Sequence, residues 1–303
     1  MSKGLYRRNF RAMGSPCEIL LHGAAPEILI ETAKWVEAEA LRLEHKYSRF
    51  RSDSLIGQIN ARAGLGCWTR LDEETRQLLA YADHCYHLSE GAFDVTSGSL
   101  RALWHSGRET IPTPSEIELA LSYVGWTRVE WRSDEVRLPI KEMELDLGGV
   151  VKEYAADTII EGCFSHGVRS GLVNLGGDIR CIGQHPDGIP WPVSVKHPFQ
   201  PGAIAKLLLE DRAIASSGGY ERFIEIEGKR FAHVIDPRNG WPVDGLAAVS
   251  VLADRAIVAG SLATIGMLLG VSGLEFLDNS GADWFAVDAL GQPFTSKVSH
   301  LVY

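Results

Sequence analysis

The chain has 303 residues, 45% of them apolar and 23% charged, with a formal net charge of −9. That length suffices for one large core or two small ones, and the ordinary composition excludes a collagenous, coiled-coil or disordered chain. The acidic balance argues against nucleic acid as a partner, which requires a basic footprint, and no uncharged run approaches the roughly 20 residues of a membrane span.

The first twelve residues, with Lys3, Arg7, Arg8 and Arg11, lack the apolar stretch of a signal peptide. They are read as an N-terminal extension (1–12) to a single domain (13–303), and the expected compartment is the cytoplasm. Cys17 follows Gly14, Ser15 and Pro16, so it is read as a strand cysteine and not as a lipidation site. The cysteines at 17, 67, 85, 163 and 181 are odd in number and lack metal-type spacing, which points to reduced, buried thiols.

CEILLH (17–22) reads as a buried strand. After Pro26, Leu29, Ala33, Val36, Ala40, Leu43 and Tyr47 recur every three or four residues and predict a helix with one apolar face. A second helix is predicted from Asp72 to Gly91, buried through Leu78, Leu79, Ala82, Cys85 and Tyr86. Thr113, Pro114 and Glu116 form a capping-box signature for a third, ending at Gly125. RVEWR, EVRLP and MELDL then alternate as antiparallel strands do. A helix over 150–166 precedes strands at GLVNL, 179–183 and 191–195. Further on come a hairpin around Glu227 and Gly228, the strand AAVSVLA, a helix from an Asp254 cap to about Gly270, and two closing strands. Without strict βαβ alternation, the expected fold is α+β: a single compact domain of mixed, largely antiparallel sheets with packed helices.

Four segments combine glycine with polar residues beyond the needs of a core: GAFDVTSG (91–98), ELDLGGVVKEYAAD (144–157), NLGGDIR (174–180) and SSGGYERF followed by AHVIDPRNGWPV (216–243). Each puts a glycine pair or an Asp at a strand end or helix start, where free backbone N–H groups can meet an anion. Each also has a plainer reading. Glycine pairs serve turns, Asp94 can cap one, Asp146 can be satisfied by neighbouring amides, Lys152 can be a solvated lysine, His233 a core histidine, and Asp236-Pro237 with Asn239-Gly240 a simple turn.

In sequence order MGSPCEI, YSRFRSDSLIGQIN, GAFDVTSGSL, LDLGGVVKEYAAD, LVNLGGDIRCIG, AIASSGGYERF, HVIDPRNG and AGSLATIGMLLG resemble the ApbE family of FAD:protein FMN transferases. The resemblance runs over nearly the whole chain, from Met13 to about Gly270, and implies an ApbE-like domain. It implies FAD contacts at Met13, Phe50, Ala92, Phe93, Asp94, Asp146, Lys152 and Val234, and pocket positions at Asp157, Gly176, Gly177, Ser217 and Gly218. His233 and Asp236 fall where the family reacts. The implied reaction moves FMN from FAD to a Ser or Thr hydroxyl of an acceptor protein, releases AMP and uses Mg2+. Two alternatives stand beside it: FAD binding without catalysis, and hydrolysis of FAD to FMN and AMP.

The resemblance implies a metal held by the carbonyl of Gly149 and by Thr264, with an Asp where this chain has Gly260. Asp254 is a poor substitute, lying on another face of its helix. Glu153 stands where the family commonly has glycine, Asn239 where it has threonine, and Gly219 where an acid or Asn is common. On this reading Gly260→Asp should strengthen metal dependence.

Overall fold

The computed structural model describes residues 4–219, 223–296 and 301–302. The chain opens with a hairpin, β1 (Tyr6–Ala12) and β2 (Ser15–His22), closed by Met13 and Gly14 at φ of 53° and 68°. Two left-handed residues in a two-residue loop match the twist of a hairpin. Residues 6–12 of the expected extension thus form a strand of the main sheet.

α1 (Pro26–Tyr47) buries the whole predicted stripe. α2 (Leu55–Ala61), for which no helix was predicted, starts at Ser54, whose hydroxyl accepts from the Gly57 amide at 2.8 Å. β3 (Thr69–Arg70) leads to α3 (Glu73–Leu88), capped by Asp72 as expected, and α4 (Pro114–Leu121) carries the predicted capping box but ends four residues before Gly125. β4 (Glu130–Arg132) and β5 (Glu135–Arg137) form a small sheet with β3.

The strand expected at MELDL does not form. Its backbone is taken by a side chain: Asn60 accepts from the Leu145 amide at 2.8 Å and donates to the Leu145 carbonyl at 3.0 Å, leaving one isolated bridge between Ser97 and Glu144. An amide side chain that supplies both donor and acceptor replaces a strand partner.

α5 (Val151–Ser165), β6 (Ser170–Leu175), β7 (Asp178–Ile182), β8 (Trp191–Lys196), β9 (Ala203–Leu209) and β10 (Ala213–Gly218) follow. The predicted hairpin is β11 (Phe223–Ile226) and β12 (Lys229–Ala232), turning at Glu227 and Gly228. Tyr220, Glu221 and Arg222 of the AIASSGGYERF motif lie outside the described residues. β13 (Leu246–Ala253), α6 (Ala256–Leu268), α7 (Gly273–Ser280), β14 (Asp283–Asp288), β15 (Pro293–Thr295) and β16 (Leu301–Val302) complete the chain.

The main sheet runs β1-β2-β6-β7-β10-β13-β14-β15, antiparallel at every step. Alternation along its strands separates two cores. Ile19, Leu21, Val173 and Leu175 pack under α1, α3 and α5, whereas Leu172, Cys181, Ile214, Leu252 and Phe285 pack against β8 and β9. This is the expected α+β arrangement. Four of the five free thiols are buried as expected; Cys67 is exposed. Among the described residues no helix is long and apolar enough to cross a membrane.

Asp254 does not cap α6. Its side chain is 93% exposed, while the buried Asp157 of α5 accepts from the Ala256 and Ile257 amides at 2.8 and 3.0 Å. A helix N-terminus buried against another helix loses water as a partner for its orphan amides, so a carboxylate must replace it. Asp157→Ala is expected to lower stability by about 2–4 kcal/mol, combining a lost cap with hydrogen bonds to a charged acceptor. Urea unfolding checks this, and a loss below about 0.5 kcal/mol, the level of a surface change, would refute the capping role.

Candidate active site

The turns of two hairpins meet at one end of the main sheet. Ala12 faces Ser15 across the first, Leu175 faces Asp178 across the second, and Cys17 pairs with Leu175 between them. Gly176 and Gly177, at φ of 66° and 105°, form the second turn, and a Cβ on Gly176 would lie 2.7 Å from that of Ser15. Ser217 and Gly218 extend β10 past Asp178 at this same end.

These turns border a cleft of about 1330 Å³. That exceeds the usual range of roughly 300–1,000 Å³ for small-molecule sites and leaves room for a dinucleotide. The lining gathers Met13, Phe50, Ala92, Phe93, Asp94, Asp146, Gly149, Lys152, Gly176, Gly177, Ser217, Gly218, His233, Val234 and Thr264, positions spread over most of the chain. Phe50 is 82% exposed at the mouth, with the Arg49 guanidinium 4.6 Å from its ring centre.

Two predicted residues lie outside the lining. Asp157 caps α6, with Arg180 and Arg255 beside it at 3.4 and 3.5 Å. Asp236, read as catalytic, is spent on its own turn. It accepts from the Arg238 amide and Nε at 2.9 Å each, from Arg238 Nη2 at 2.8 Å and from the Asn239 amide group at 3.1 Å. Asn239 also accepts from the Trp241 amide at 2.8 Å, so it keeps a capping role in the turn.

Two more carboxylates line the cleft while facing protein donors. Asp94 accepts from the Thr96 amide and hydroxyl at 2.7 and 2.6 Å and from the Trp126 amide at 3.0 Å. Asp146 accepts from the Gly148 amide at 2.8 Å and pairs with Arg101 at 2.9 Å and Arg49 at 3.4 Å. Arg49 and Arg101 line the cleft themselves, and the sequence reading missed both. Their one signal was adjacency: each lies within or next to a quoted motif.

The Lys152 ammonium bonds Asp178, which is almost fully buried. The neighbouring Glu153 is only 5% exposed and points inward, the orientation that matters for charge in the cleft. Burial, then the negative charge of Asp178, pushes its carboxyl up from the usual range. One of its oxygens, Oε2, has no hydrogen-bond partner among the described residues. Glu153 also explains Gly260. A Cβ on residue 260 would stand 2.4 Å from Glu153 Cγ and 2.8 Å from Oε1, so an Asp at 260 requires the Glu153 side chain to move, a condition absent from the sequence expectation for Gly260→Asp. Thr264, one turn further along α6, and Gly149, just before α5, also line the cleft, and a Cβ on Gly149 would stand 3.4 Å from the Phe93 ring.

Among the described residues no three His, Cys, Asp or Glu side chains are grouped to hold an ion by themselves. The oxygens present fit a hard divalent cation that takes a hydroxyl, a carbonyl and ligand phosphates together with a carboxylate: Thr264, Gly149 and the partnerless oxygen of Glu153.

The sequence profile of the ApbE family matches residues 13–286. The chain belongs to the ApbE family. It is 27% identical to the FAD:protein FMN transferase of Haemophilus influenzae over 282 residues, covering 89% of this chain and 82% of the relative. With the FAD:protein FMN transferase of Treponema pallidum the identity is 30% over 286 residues, covering 88% and 79%. The crystal structure of the ApbE protein of Thermotoga maritima superposes with a TM-score of 0.90 at 30% identity, covering 97% of each chain.

In this ApbE-family chain Asp236 and Arg238 act as a unit that closes the turn after Val234. Asp236→Asn is expected to cost about 1–2 kcal/mol of stability, and Arg238→Met on top of it little more. Urea unfolding of the single and double variants checks this; fully additive losses would separate the two roles.

Proposed function

We propose that this protein transfers the FMN moiety of FAD to a Ser or Thr hydroxyl of an acceptor protein, releasing AMP. One observation carries the reading: motifs scattered from Met13 to Thr264 converge on a single cleft lined by both aromatic and polar residues. The names of the relatives support the same chemistry.

Met13, Phe50 and Phe93 supply flat or flexible apolar surface suited to the flavin rings. The Gly176-Gly177 turn, Ser217 and Gly218 let backbone approach the pyrophosphate, and Lys152 offsets its charge. His233 lines the cleft and takes the proton of the acceptor hydroxyl. That oxygen forms a bond to the FMN phosphorus, the bond from this phosphorus to the bridging oxygen breaks, and the electron pair leaves on AMP. A magnesium ion held through Gly149 and Thr264 would absorb charge developing on the pyrophosphate. Asp236 is left out of the chemistry, since its oxygens already serve the Arg238 turn.

The Glu153 carboxylate, which fills the space beside Gly260 one helical turn before Thr264, supports transfer over binding alone.

The test is incubation with FAD, Mg2+ and a protein bearing a Ser/Thr acceptor segment. Acid-stable fluorescent labelling with AMP released in equal amount is expected, and chelation with EDTA should abolish it. AMP without label would assign hydrolysis, and FAD retained without AMP would assign binding. His233→Ala should lower kcat by about 10²- to 10⁴-fold, the range of general-base catalysis, without a matching fall in melting temperature. Phe50→Ala should leave stability unchanged within about 0.5 kcal/mol, as for exposed sites. It should also weaken FAD by roughly fivefold through lost stacking; unchanged FAD affinity would remove Phe50 from the site.

A further inference from the structure

We propose that Glu153 is the protein carboxylate that holds the divalent cation in this chain, delivered from α5 and not from α6. The proposal rests on the cation-assisted transfer put forward above, and it concerns which of this chain's own residues binds the ion.

Three observations meet at this point. Glu153 is 5% exposed and lines the cleft, yet its Oε2 has no hydrogen-bond partner among the described residues. A buried carboxylate oxygen without a donor is costly, and the polar groups of folded proteins are rarely left so. The Lys152 ammonium bonds Asp178, and Asp178 in turn shares a hydrogen bond with the Glu153 carboxyl, which leaves Oε2 as the oxygen without a donor. A cation is the partner that satisfies the bare oxygen.

The second observation is steric. α6 carries glycine in its interior at position 260, where glycine is a poor helix former. Glu153 Cγ and Oε1 occupy the space that a side chain at 260 would need, at 2.4 and 2.8 Å from its Cβ. Acid on α5 and glycine on α6 are therefore one reciprocal arrangement: the volume holds a single carboxylate, and here α5 provides it.

The third is the ligand set. Thr264 follows Gly260 by one helical turn and so faces the same side of α6, and Gly149 lies just ahead of α5. Carboxylate, hydroxyl, carbonyl and pyrophosphate oxygens are the donors that Mg2+ and Mn2+ prefer.

The experiment titrates Mn2+ into the full-length protein with FAD and no acceptor, reading free Mn2+ by electron paramagnetic resonance beside melting curves without metal. Wild type should bind Mn2+. Glu153→Gln should weaken it by about tenfold or more, the scale of losing a group that tunes a metal site, with the metal-free melting temperature kept or raised. Gly260→Asp alone should melt lower, whereas Glu153→Gly with Gly260→Asp should regain stability and bring Mn2+ affinity back to within about threefold of wild type. The proposal is overturned if wild type binds no Mn2+, or if Glu153→Gln binds it within about threefold of wild type. Should Glu153→Gln not fold, the exchanged double variant decides, and a folded double variant without Mn2+ affinity overturns the proposal. Mn2+ binding is read without an acceptor. Wild-type binding lost in Glu153→Gln but without FMN transfer would therefore sink the transferase reading alone. Undiminished transfer by Glu153→Gln would sink this proposal alone.

Discussion

The architecture of the cleft depends on how α5 and α6 are clamped together. Asp157, buried in α5, accepts from the first two amides of α6, Ala256 and Ile257. Moving that carboxylate away would strand an anion and two amides in a place without water, so the spacing and direction of the two helices are set there. Glu153 lies one turn before Asp157 and Gly260 one turn after Ala256, so the helices run antiparallel and these residues must meet. Thr264 and the Gly148-Gly149 segment come next along the same seam. A structural capping contact thereby positions the polar wall of the cleft.

The sheet end of the cleft has a different origin. Antiparallel pairing across β1, β2, β6, β7 and β10 brings the Met13-Gly14 turn, the Gly176-Gly177 turn and Ser217-Gly218 to one sheet end by register alone. The turn amides at this end are already used, Gly176 donating to the Pro16 carbonyl at 3.1 Å and Gly177 to Asn174 Oδ1 at 2.8 Å, so the expected free N–H groups are not found there and the glycines serve close backbone approach. Aromatic side chains then enter from loops anchored elsewhere. Phe93 is held through Ser89, whose hydroxyl accepts from the Phe93 amide at 2.8 Å, and Phe50 is reached through Arg49 and its pair with Glu144.

The acids around the cleft divide by what they face. Asp94 and Asp236 turn their oxygens to backbone amides and local side chains, which makes them organisers of loops. Asp146 anchors Arg49 and Arg101, so that wall presents fixed cations next to fixed anions. Glu153 differs from all three in carrying an oxygen with no donor among the described residues. Motif membership alone could not separate these cases, because a carboxylate's role follows from its donors.

What the sequence by itself determined were features whose cause is local in the chain. The Thr113–Glu116 capping box, the Asp72 cap, the apolar stripe of α1 and the Glu227-Gly228 hairpin depend on neighbours within a few residues. The order of the glycine-rich motifs likewise pointed to the family and to most of the cleft lining. Only the tertiary structure decided matters that join distant segments. MELDL lost its strand to the side chain of Asn60, α6 took its cap from Asp157 and not from Asp254, and Gly260 answered to the bulk of Glu153. In each case the partner lies 85 to 107 residues away: 145 − 60 = 85 and 260 − 153 = 107. Local propensity carries no record of such a partner, because hydrogen bonds and excluded volume act through space once the helices and sheet have packed.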